Sequence, residues 1–146
     1  MRKLLFASIV VATMAVSAWA VVHVARGRGV VEGGSHAGAN FEFSVTVPYN
    51  SAHPNRFRFW DHGMFIPVDI VVPHIERVTF EHHAVHFSGR GWYNNSTPVR
   101  VFVTALDGGV NRHDMFRMVA RDMAGAVVHS AEGRVIEGGI EIFHRQ

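Results

Sequence analysis

Phe41-Glu42-Phe43-Ser44-Val45-Thr46-Val47 is the stretch on which the fold turns. Apolar and polar side chains alternate without a break. A period of two puts Phe41, Phe43, Val45 and Val47 on one face of an extended strand, whereas a helix would scatter them around its circumference. The pattern returns at Arg56 to His62, where Phe57 and Phe59 point one way and Arg56, Arg58, Trp60 and His62 the other. Val78-Thr79-Phe80 and Val85-His86-Phe87 flank His82-His83 as the arms of a predicted hairpin. Setting Phe80 against Val85 and Val78 against Phe87 pairs apolar with apolar, and Thr79 then faces His86 on the other surface.

Outward from these segments, Val30-Val31-Glu32 reads as the first strand, with Arg26 to Gly29 as a short linker before it and Gly33 to Gly38 as a loop after it. Ile66 to Val72 is extended, with Pro67 marking a strand start or an edge position. Val99 to Leu106 is a further strand, turned by Asp107-Gly108-Gly109. Asp114 to Met123 supports two readings. Met115, Met118, Val119 and Met123 form a helical stripe, while Phe116, Met118 and Ala120 alternate as in a strand. Val127 to Ser130 and Ile140 to His144 complete the set, with Gly138-Gly139 between them. Some nine or ten short strands without intervening helices predict an all-β domain, an antiparallel sandwich or barrel.

In front of this β pattern stands an apolar run, Leu4 to Val24, preceded by Arg2 and Lys3 and free of charge. As a helix it spans roughly 31 Å at about 1.5 Å per residue, one hydrocarbon core. Arg2 and Lys3 hold the N-terminus on the cytoplasmic side and send the remainder across. Ala18-Trp19-Ala20 has the small-residue spacing for cleavage after Ala20, yet apolar sequence continues through Val21, Val22 and Val24. Two outcomes stay open, a cleaved signal or a retained anchor, and the expectation carried forward is the anchor. Residues 1–25 then form the signal or transmembrane segment and residues 28–146 a single exported β domain. Ala7, Ser8, Ala12, Ala15 and Ala18 are small enough for close helix packing, and Trp19 suits the outer interface.

The formal charge of +2 is accounted for by Arg2 and Lys3, so later residues balance twelve Arg against twelve acids. That removes the electrostatic case for a nucleic-acid partner. No cysteine is present, which excludes disulfides, thiolate chemistry and zinc–thiolate sites. Asn94-Asn95-Ser96-Thr97 holds two overlapping glycosylation sequons, relevant only in a eukaryotic secretory route.

In order and spacing, residues 28–144 resemble the small exported bacterial domains known as post-COAP domains. The segments that carry the likeness are Gly29 to Gly34, Ala39-Asn40-Phe41-Glu42-Phe43, Asp107-Gly108-Gly109 through Asp114-Met115-Phe116, and Gly138-Gly139-Ile140-Glu141-Ile142-Phe143-His144. The central turn here lacks that family's asparagine and proline. The resemblance implies an all-β domain and transfers no activity.

Eleven histidines suggest metal binding, but His82, His83 and His86 belong to one short β segment whose neighbours point to opposite faces. Loop histidines are the plainer reading. Asp61-His62 has the chemistry of an oriented acid/base pair and lacks a nucleophile in a recognisable setting. Asp107 and Asp114 flank an oxygen-rich loop and are weak candidates for Ca²⁺; capping local backbone amides is the competing role. His23, at the exported end of the apolar run, marks an interface more readily than it ligates a pigment or haem. The exposed stripe Arg56, Arg58, Trp60, His62 offers cation–π and hydrogen-bonding groups to a carboxylate-bearing partner or to lipid headgroups.

These readings combine into one expectation. The chain is a non-catalytic accessory subunit without cofactor, anchored in the inner membrane through residues 4–24. Its periplasmic or extracytoplasmic β domain docks onto subunits of a larger membrane complex, respiratory or photosynthetic by topology. The alternative is a cleaved, secreted or periplasmic β module that binds a surface or carbohydrate ligand.

Overall fold

Inward and outward side chains alternate around eight antiparallel strands in the computed structural model, which describes residues 21–33, 38–63 and 65–145. The strands are β1 (Val22–Val31), β2 (Ala39–Val47), β3 (Arg56–Asp61), β4 (Val68–Phe80), β5 (Ala84–Tyr93), β6 (Thr97–Leu106), β7 (Met115–Asp122) and β8 (Val127–Arg145). Each pairs with the next, and β8 returns to β1, so the sheet closes into a barrel. The expected choice between sandwich and barrel is thereby resolved.

Eight strands bring their inner faces close enough for side chains alone to fill the middle. Phe41 and Phe43 from β2, Phe57 and Phe59 from β3, Phe87 from β5 and Phe116 from β7 do so, all nearly inaccessible. Phe116 stacks on Phe41 with centroids 4.3 Å apart, and Phe57 and Phe59 lie 6.2 and 6.5 Å from it. The alternation in β2 and β3 thus serves one aromatic interior. The predicted hairpin register is also found: Phe80 opposes Val85, Thr79 opposes His86 and Val78 opposes Phe87.

Ten predicted segments become eight strands because two pairs fuse. The segment predicted from Ile66 to Val72 enters the sheet only at Val68 and joins Val78 to Phe80 through Pro73 as β4, whose pairing with β5 shifts between Val71 and His74 and again between Ile75 and Arg77. Proline lacks an N–H to donate, and a bulge is where that loss is tolerated. Val127 to Ser130 and Ile140 to His144 join as the 19-residue β8. Gly138 takes φ +79°, and the register against β1 slips at Ile136, between Glu137 and Val135, so the strand bulges rather than stops. Up to Arg134, β8 pairs with β7; from Val135 on, it pairs with β1. Met115 to Asp122 is a strand, which decides the ambiguous segment against the helical stripe.

The N-terminal expectation needs correction at its downstream end. Arg26 to Gly29, read as a linker, is the middle of β1, paired on both sides, and Val22 to Val24, the tail of the apolar run, are strand residues. Gly27 and Gly29 are inward positions in the alternation, so β1 looks polar and flexible in sequence while it is part of the wall. The remainder of the apolar run, with Ala7, Ser8, Ala12, Ala15, Ala18 and Trp19, lies outside the described residues. Among those described, no helix is long and apolar enough to cross a membrane.

Candidate interaction surface

β3 begins at the level of Ser44 and ends at Asp61, and its alternation turns Arg56, Arg58 and Trp60 outward. Arg58 is fixed from two directions. Its Nε and Nη2 donate to Asp69 of β4 at 3.2 and 2.9 Å, and its guanidinium sits 5.1 Å from the centre of the Trp60 ring. The hydrogen bonds to Asp69, and then its charge, hold Arg58 above the ordinary arginine value. Arg56 is looser, with its Nη2 3.6 Å from Glu42. His62 lies past the strand, exposed in the turn, so three of the four expected stripe residues share the face and the fourth leaves it.

Asp69 is itself positioned by the β5–β6 turn. Asn94 accepts the Asp69 N–H on its side-chain oxygen and donates through Nδ2 to Pro67. Asn94 and Asn95 both have positive φ, as a tight hairpin turn requires. The first sequon asparagine is therefore engaged in holding β4.

Beside Arg58 the cross-strand row continues through Val71 of β4 to Trp92 of β5, both exposed. Phe65 and Ile66, in the loop between β3 and β4, are also exposed. Together they give the β3–β5 wall, on the side of the β3–β4 loop, exposed aromatic and aliphatic groups beside a fixed arginine, and of these tryptophan and arginine are the types enriched in binding hot spots. Phe65, Ile66 and Trp92 were not singled out from the sequence. Trp92 was legible, because Gly89 and Gly91 take the inward positions of β5 and leave Arg90 and Trp92 outward.

On its other side Trp60 borders an open hollow of about 480 Å³ shared with Arg28, Asn40 and Glu137. A second hollow of about 710 Å³ adjoins it through Arg28 and Gly138 and extends to Arg26, Glu42, Arg56 and Glu141. Arg26 is tied to Glu141 at 2.7 Å.

Compared with known proteins, the chain matches no family profile, no curated protein and no solved structure.

The remaining candidates separate. Asp61 is 2% exposed and turned inward, accepting the Gly63 N–H, while His62 points to solvent, so the adjacent pair does not act together. The imidazole that feels Asp61 is His129 of β8, resting on Phe59 with centroids 5.3 Å apart. Burial lowers the His129 pKa, and the Asp61 charge opposes that shift. They sit on β3 and β8, which are not paired with each other, and the closed barrel brings them near, so no local spacing announced it. His82 and His83 stand side by side at the hairpin tip, while His86 turns to Thr104 and has Glu81 3.3 Å from Nε2, out of hydrogen-bond alignment. Among the described residues, no three histidine or acidic side chains converge as a metal site.

Asp107 and Asp114 have clear structural partners. Asp114 accepts the Gly108 N–H and the Ile140 N–H, and Asp107 accepts the Gly109 N–H and the Ile142 N–H. All four carboxylate oxygens are thus used on backbone amides.

Proposed function

We propose that this chain is a non-catalytic accessory subunit, tethered by its N-terminal apolar segment in the inner membrane and docking its extracytoplasmic barrel onto a larger membrane protein complex. The observation that carries the reading is the β3–β5 wall on the side of the β3–β4 loop, where Phe65, Ile66, Val71 and Trp92 stay exposed beside the Arg58–Trp60 pair. A partner that covers this wall removes apolar area from water and meets an arginine already held in place, which lowers the ordering cost of association. The packed interior adds support, because Phe41, Phe59 and Phe116 occupy the space where a barrel would otherwise hold a small molecule. Kinship with post-COAP domains belongs to the same proposal. Its support is that the two glycine-rich segments of the likeness meet across the closing seam, Gly29 opposite Gly138 and Arg28 opposite Gly139.

The test is affinity capture of the full chain from detergent-solubilised source membranes, native sequence against a Phe65→Ser/Trp92→Ala double variant. The native chain should bring down a defined membrane complex, and the variant at least tenfold less, with melting temperature unchanged. Recovery of the bait alone from both would sink the docking reading.

A second reading, a cleaved and secreted binding module, draws on the 480 Å³ hollow, where Trp60, Asn40, Arg28 and Glu137 offer a ring face and hydrogen-bonding groups suited to a sugar. Intact mass separates the two. A mature chain starting at Val21 favours the second reading and removes the tether.

A further inference from the structure

The barrel has two chemically different rims. Strand direction sorts the loops: the β2–β3 loop, the β4–β5 turn, the β6–β7 loop and the C-terminal end of β8 all lie at the end where β1 starts. This rim carries five exposed histidines, His53, His82, His83, His113 and His144. Beneath them His23 packs against Phe80 and His144, its Nδ1 buried without a hydrogen-bond partner. At the opposite rim the described residues include one exposed histidine, His62.

The fixed charges around the imidazoles nearly cancel. Arg112 and Arg145 are the rim's own cations, and Glu81, Asp107 and Asp114 are its carboxylates. Glu141 is matched to Arg26, and higher on the walls Arg56 is matched to Glu42 and Arg117 to Glu132, with Arg77 exposed on β4. Against this balance the histidines decide the sign of the field, and histidine is the side chain whose charge changes between pH 5 and 8. Two loop tips on the same rim expose apolar groups, Tyr49 and Val110. Tyrosine concentrates at membrane interfaces.

We propose that this histidine rim is a pH-dependent contact surface for an anionic phospholipid bilayer, drawn to it more strongly in acid than at neutral pH. Charge complementarity selects the lipid class, and Tyr49 and Val110 enter the headgroup layer once the rim is drawn down. The position of β1 supports this choice, because the apolar run Leu4 to Val24 leads into the barrel at this same rim. The contact concerns the barrel itself and applies to a tethered or a cleaved chain, so it does not stand or fall with the tether.

The chain has no cysteine, so Val110→Cys creates a unique labelling site at this rim and Met123→Cys one at the other. Each is labelled with a fluorophore in the full chain. The labelled chain is reconstituted into nanodiscs, or added to vesicles if it is recovered as a soluble species. The bilayers are phosphatidylcholine with or without phosphatidylglycerol and carry a brominated-lipid quencher. Quenching at Val110→Cys should be at least threefold greater at pH 5.5 with phosphatidylglycerol than at pH 7.5 or without it, and Met123→Cys should stay unquenched. Adding His82→Gln, His83→Gln and His113→Gln, three of the five exposed rim histidines, should cut the pH dependence by at least half. Equal quenching in all four conditions overturns the proposal, as does quenching at Met123→Cys instead. An acid-dependent dye response to polyglutamate without any response to vesicles reassigns the rim to an acidic protein and also overturns it.

Discussion

Gly27 is glycine because of a ring on the neighbouring strand. It faces Phe43 across the β1–β2 ladder, and a Cβ built there would stand 2.5 Å from the ring. Overpacking of a filled core costs about 1–3 kcal/mol. Gly27→Val should therefore lower the denaturant midpoint by at least that amount at unchanged m-value; an unaltered midpoint would mean that the ring is free to move. The residue was misread in sequence because glycine signals a linker locally, and only its partner on β2 reveals the close fit. His129 shows the same dependence on partners. Burial against Phe59 lowers its folded pKa, so the folded protein takes up that proton less readily than the unfolded chain. The associated stability is full above the unfolded value near 6.5 and declines as pH falls through the lowered folded value. Thermal melts of the native chain should lose stability over that interval, and His129→Asn should flatten the decline; parallel profiles would rule the imidazole out as its source.

Among the elements, β8 is the one that local patterning could not deliver. Its first part completes the ladder with β7, and its second part turns to β1, leaving one edge without a strand. The β6–β7 loop covers that edge with side chains instead, Asp114 taking the Ile140 amide and Asp107 the Ile142 amide. Asp114→Ala strips acceptors from Gly108 and Ile140 together. An amide left unpaired in a part-buried setting costs about 1–3 kcal/mol. The Ile140 amide should exchange with deuterium at least tenfold faster in the variant while the Phe59 amide is unaffected; unchanged exchange at Ile140 would show that the loop holds the edge by other means. β2, β3 and the β4–β5 hairpin were legible because their alternation or facing pairs are local. The fusions at Pro73 and Gly138 were not, since a strand that survives a breaker does so through neighbours distant in the chain.

For the molecule as a whole, closure depends on the pairing of β1 with β8, joined from opposite ends of the sequence. Contacts of such long separation slow folding and make it cooperative, because neither strand has its full complement of neighbours until both arrive. A chain ending at Glu137 should lose its sigmoidal urea transition altogether; a sharp transition would show that seven strands suffice. The all-β antiparallel class was readable from strand spacing, the choice of barrel over sandwich was not, and the exposed stripe on β3 was found in part. The two unlike rims became visible only once strand direction gathered three loops with the start of β1 and the end of β8. The stacked phenylalanines carry one more implication. Phe116 stands between Phe41, Phe57 and Phe59, so exchanging it for alanine would hollow out a slot with aromatic walls, able to admit a benzene-sized guest. A barrel whose interior is now filled is one side chain away from becoming a vessel.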